Sequence, residues 1–140
     1  MSVVKEYMTP KVREASSSDD LATLAKHMRD EDVGFVPVAE DDKYVGVVTD
    51  RDIVVKGLAK GSSDQVKASD IMTRKVITGT TNMEVEEAAR LMQEHQIKRL
   101  LVVENSTVEG VVTLGDLGYE GATEVAANVV REVSKGAANN

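Results

Sequence analysis

Two spacings of apolar residues alternate along this chain, and the whole alternation then recurs. Leu21, Leu24, Ala25 and Met28 stand at i, i+3, i+4 and i+7, and Val85, Ala88, Ala89 and Met92 repeat that spacing further on. Each set predicts an amphipathic helix with one stripe turned to a core. Behind each helix comes a denser apolar run broken by a polar turn, "FVPVAEDDKYVGVV" and "RLLVVENSTVEGVV", in which β-branched residues dominate. These runs predict two hairpins. Ahead of each helix lies a short extended piece, "KVREA" or "KVITG", and then a polar segment, "SSSDD" or "TTNME". The hydroxyl and amide side chains of those segments suit a helix N-cap with acids in the first turn. After each hairpin a threonine, Thr49 or Thr113, is placed to cap a second helix. The unit is β-α-β-β-α, written twice.

The two copies keep one register. Sliding the chain on itself by 64 residues lays Met8 and Thr9 on Met72 and Thr73, Ala25 on Ala89, Met28 on Met92 and Val38 on Val102. The same shift lays Gly46, Val47, Val48, Thr49 and Asp52 on Gly110, Val111, Val112, Thr113 and Asp116. No gap is needed, which marks a tandem duplication. The expected fold class is α+β, with residues 1–60 as the first repeat and 61–118 as the second. Gly57, Gly61, Ser62, Ser63 and Asp64 place the connection near residues 57–68. Residues 119–140 read as a C-terminal helix with Val125, Ala126, Val129, Val130 and Val133 on one face, ending in a frayed tail.

Composition narrows the setting. Neither half of a 140-residue chain is comfortable as a separate core, so two halves sharing apolar faces are expected. The chain has no Cys, which excludes a disulfide framework and a cysteine zinc site and suits a reducing compartment. No apolar stretch reaches the length of a membrane span or a secretory signal, so a cytoplasmic protein without membrane partners is expected. A formal net charge of −7 disfavours wholesale binding to nucleic acid. Catalysis and a metal site are not expected. His27 and His95 lie among charged neighbours with no second His or Cys at ligand spacing, and the acids Asp50 and Asp52 suit a helix start. Neither a Gly-x-Gly-x-x-Gly run nor a phosphate-loop lysine motif occurs.

The doubled Gly-x-x-Thr-x-x-Asp carries the chemistry. Its plain reading is structural: glycine relieves crowding in a strand, and Thr and Asp cap the next helix. Its functional reading uses the same geometry. A strand running into a helix start exposes N–H groups and a threonine hydroxyl, and an aspartate one turn on can accept two hydrogen bonds from a vicinal diol. Together they suit a ribose and its phosphate.

The paired patterns "YMTPKV…VGFVPV…YVGVVTDRDI" and "IMTRKV…IKRLLVV…VEGVVTLGDL" resemble a tandem pair of CBS domains, a Bateman module, over almost the whole chain. The run "TDRDIVVKGLAKG" resembles small stand-alone two-CBS proteins of the hypoxic response protein type. That resemblance implies two β-α-β-β-α repeats with pseudo-twofold symmetry, a homodimer, and two clefts for adenosine-containing ligands. Carried over residue by residue, one cleft joins Thr49, Arg51 and Asp52 to Val76, Thr78, Lys98, Arg99 and Leu100. The other joins Thr113 and Asp116 to Val12, Glu14, Gly34, Phe35 and Val36. The cations of the first set make it the better nucleotide site, and Glu14 weakens the second. The implied ligand is AMP, ADP or ATP, and ATP could bring Mg2+ with it. The function implied is a non-catalytic regulatory module that signals by a change of conformation or assembly. The alternative is a structural dimerisation module without ligand.

Overall fold

The computed structural model of the chain describes residues 2–74 and 76–119. The Val-rich helix expected within residues 119–140 lies outside the described residues. In chain order the elements begin with a 3-10 turn, Val4–Glu6, then β1 Thr9–Pro10, β2 Ala15–Ser16, α1 Leu21–Glu31, β3 Phe35–Glu40 and β4 Lys43–Thr49. The short α2 Asp50–Asp52 runs directly into a π-helical turn, Ile53–Leu58, and α3 Ala68–Ile71 follows. The second half holds β5 Thr78–Gly79, α4 Val85–His95, β6 Arg99–Glu104, β7 Thr107–Thr113 and α5 Leu114–Tyr119. The class is α+β, and each half carries the expected β-α-β-β-α order.

Chain contacts divide the residues into a central unit, Arg13–Val76, and a split unit made of the residues up to Val12 and those from Ile77 onward. The central sheet runs β2-β3-β4, with β2 parallel to β3 and β3 antiparallel to β4. The sheet of the split unit runs β1-β7-β6-β5, with the same parallel and antiparallel pairings and β1 added at the β7 edge. Both hairpins close through two residues of positive φ, Asp41 and Asp42 in one and Asn105 and Ser106 in the other. That backbone matches the twist of the strands it joins.

The repeated glycine has a packing cause. A Cβ at Gly46 would stand 2.7 Å from the carbonyl oxygen of Thr73, and one at Gly110 would stand 2.5 Å from that of Thr9. In each unit a Met-Thr segment crosses the glycine-bearing strand: Thr73 exchanges two backbone hydrogen bonds with Val47, and Thr9 pairs with Val111. Glycine and Met-Thr are therefore two sides of one contact. The Met-Thr that covers Gly46 opens the second repeat, and the one that covers Gly110 opens the first.

Each unit has its own core. In the split unit Val85, Ala88, Ala89 and Met92 of α4 are buried as expected, against Leu100, Val102 and Val112 of the sheet. In the central unit Leu21, Leu24 and Met28 of α1 pack on Val36, Val38 and Val48. Each of the Val, Leu and Met side chains among them contributes about 1.5–3 kcal/mol relative to exposure. Three details differ from expectation. Ala25 is exposed and His27 is buried in its place, so the stripe of α1 runs i, i+3, i+6, i+7. Gly57 belongs to the π-helical turn and not to a loop, and it packs so close to α1 that a Cβ there would meet Leu21 Cδ2 at 2.7 Å. The caps also differ: Asp20 caps α1 by accepting from the Thr23 N–H at 2.9 Å, and α4 starts after Glu84 without any side-chain cap.

Candidate functional site

Each hairpin ends in a corner where the chain leaves the sheet and turns into a helix. Thr49 keeps the extended backbone of β4, and its Oγ1 accepts from the Asp52 N–H at 3.1 Å. Asp52 Oδ2 accepts in return from the Thr49 N–H at 2.9 Å. The reciprocal pair satisfies two groups that a helix start leaves open. Thr113 and Asp116 form the same corner at the same two distances. The capping role expected of both threonines is therefore observed, and each carboxylate is held by the chain itself.

The corners differ beyond that shared frame. Asp52 is buried, and its Oδ1 lies 3.2 Å from the ammonium of Lys56 one turn along. Asp116 is half-buried, and no cation pairs with it among the described residues. Next to Thr49 in the sheet is Phe35, and the Asp50 N–H donates to the Gly34 carbonyl at 2.9 Å. Next to Thr113 is Arg99, and the Leu114 N–H donates to the Lys98 carbonyl at 3.1 Å. Arg51, Lys98 and Arg99 are exposed, whereas Val36 and Leu100 sit in the two cores. A ligand could reach the last two only at their backbone.

The remaining candidates sit at the other strands. Thr78 pairs with Leu101 across β5 and β6. Val12 and Val76 are half-buried and belong to no strand. Glu14 lines a recess of about 580 Å³ with Ala15, Ser16, Ala39, Asp41 and Asp42. Burial, and then the charge of Asp42, push its carboxyl above the usual range. The central unit thus holds Glu14, Gly34, Phe35, Val36, Thr49, Arg51, Asp52 and Val76. Val12, Thr78, Lys98, Arg99, Leu100, Thr113 and Asp116 fall in the split unit. Lys98 and Arg99 stand beside Thr113 in their own unit, and Gly34 and Phe35 stand beside Thr49 in theirs. Sequence reasoning missed Lys56, although its i, i+4 spacing from Asp52 is a readable signal.

Among the described residues no group of three or more His, Asp or Glu side chains is arranged to hold a metal ion. No helix among them is long and apolar enough to cross a membrane. The model of the CBS domain matches this chain twice, over residues 4–57 and 68–117. The chain belongs to the CBS-domain family. It is a tandem CBS pair, and such a pair is a regulatory module. It is 36% identical over 135 residues to the CBS domain-containing protein YhcV of Bacillus subtilis, covering 96% of both chains. The crystal structure of Hypoxic Response Protein I with two coordinated zinc ions superposes with a TM-score of 0.76 at 29% identity, over 85% of this chain and 98% of that one. The structure of CBSX2 in complex with AMP superposes at 0.74 and 26% identity, over 87% and 97%.

Proposed function

We propose that this tandem CBS chain binds an adenosine-containing ligand of the AMP, ADP or ATP class at its threonine–aspartate corners, without catalysis of its own. The observation that carries the reading is the state of the two carboxylates. Each is oriented by the N–H of its own threonine through Oδ2, which leaves Oδ1 outside the capping pair. A ribose diol needs such an acceptor, fixed before the ligand arrives. Cations stand close by: Arg51 adjoins Asp52 in sequence and Lys56 pairs with it from one turn on, while Arg99 of β6 and Lys98 just before it stand beside Thr113 and Leu114. They suit phosphate. The likeness to an AMP-bound CBS structure supports the same ligand class.

The signal proposed is a change in conformation or assembly of a cytoplasmic homodimer. Val54, Val55 and Leu58 lie exposed together on the helical turn after Asp52, an apolar surface that suits self-association. A chain without Cys suits a reducing compartment.

Isothermal titration calorimetry with AMP, ADP and ATP tests the reading. Binding of at least one is expected, with a loss of about tenfold or more at the affected corner in Asp52→Ala and in Asp116→Ala, about 1.4 kcal/mol. Absence of heat with all three nucleotides would leave the dimerisation module as the function. ATP hydrolysis that scales with purified protein would refute the non-catalytic part.

A further inference from the structure

Asp52 is the one carboxylate among the described residues that is buried. Its Oδ2 already accepts from the Thr49 N–H, so the oxygen that the cap leaves uncommitted is Oδ1. The Lys56 ammonium already stands 3.2 Å from that atom. Whatever binds there lies against a positive charge. The Lys56 side chain is 49% exposed, and its flexible four-carbon stem lets the head leave the carboxylate for another anion nearby. The second corner lacks this partner: no cation pairs with Asp116 among the described residues, and four positions on in the sequence stands Glu120, where the first repeat has Lys56.

We infer that Lys56 is a specificity-determining residue of the Asp52 corner, selecting ligands that carry a phosphate next to the ribose over the bare nucleoside. The inference rests on the ligand reading above. When a diol donates to Asp52 Oδ1, it competes with the ammonium for the same oxygen. A 5′-phosphate supplies the displaced cation with a new anion, and its charge-assisted hydrogen bond is stronger than one between neutral groups. A bare nucleoside offers the ammonium nothing in return. Lys56 thus opposes the nucleoside and favours the nucleotide. Lys56 is itself half-exposed, and without it Asp52 keeps the hydrogen bond from the Thr49 N–H that holds the corner.

Calorimetry on the full chain decides it, in an Asp116→Ala background so that the Asp52 corner alone is read, with AMP and adenosine as the two probes. Lys56→Met is expected to weaken AMP by about tenfold or more while adenosine stays within about twofold or tightens. Lys56→Arg, which keeps the charge, is expected to retain most of the AMP affinity. Equal losses for AMP and adenosine in Lys56→Met, or no loss for either, would overturn the inference while leaving the Asp52 site standing. Failure of the Asp116→Ala protein itself to bind either probe would instead refute the ligand reading of this corner, and the inference with it. Thermal melts of each variant within about 2 °C of the background exclude a folding effect.

Discussion

Gly46→Ala tests the explanation of the repeated glycine. The added methyl would stand 2.7 Å from the Thr73 carbonyl oxygen and 3.2 Å from Met72 Sδ. The thioether can swing aside, since methionine is flexible. The carbonyl cannot move as freely, because it accepts from the Val47 N–H at 3.0 Å while the Thr73 N–H donates back to Val47 at 2.9 Å. Relief of the clash therefore either strains the strand or breaks this pair. Overpacking of this kind costs about 1–3 kcal/mol. Losing the pair instead costs about 1 kcal/mol per hydrogen bond. The stiffer alanine backbone returns about 0.4–1 kcal/mol through the unfolded chain. By either route the net is about 1.3 kcal/mol of destabilisation, which lowers the melting temperature by roughly 5 °C in a chain of this size. Urea unfolding measures the total. Native-state hydrogen exchange at the Val47 and Thr73 amides reads the site locally, which matters because two units need not unfold together. Gly61→Ala is the control, because its new methyl meets nothing closer than Gln65 Oε1 at 3.5 Å. A Gly46→Ala protein within about 0.5 kcal/mol of the parent, with both amides protected as before, would refute the reasoning.

Two further outcomes are expected. Burial, followed by the charge of Arg13, pulls the pKa of His27 below the imidazole range, against the opposing acids Glu31, Asp19 and Asp30. The folded state then binds fewer protons than the unfolded one, so this contribution is full above about pH 6.5 and declines as pH falls through that value toward the folded pKa. The urea midpoint should fall with it, and His27→Leu, which installs the residue found at the matching position Leu91, should remove that part of the slope. An unchanged slope would reject the assignment to His27. Thr113→Ala deletes the hydroxyl that accepts from the Asp116 N–H at 3.1 Å and should cost about 1 kcal/mol by urea midpoint, with Thr113→Ser restoring it. A neutral Thr113→Ala would deny the cap its energetic role.

Most of what local spacing carries was legible in the sequence. The β-α-β-β-α order, the hairpins and the Thr-x-x-Asp corners were, because a turn, a helical stripe or a cap joins residues only a few positions apart. The Asp52–Lys56 pair, at i and i+4, belongs to this class too. Tertiary structure decided what depends on distant segments. The glycine of "GVVT" could be seen twice, but its cause is a Met-Thr segment that arrives from the other repeat in sequence, Met72–Thr73 onto Gly46 and Met8–Thr9 onto Gly110. Likewise only the packing of Leu21 against Gly57 explains a glycine inside a helical turn, and only the core around α1 buries His27 in place of Ala25. The neighbours of each corner followed the same rule. Antiparallel pairing sets Arg99 beside Thr113 and Phe35 beside Thr49, and strand register is a property of the folded sheet, which no single strand carries.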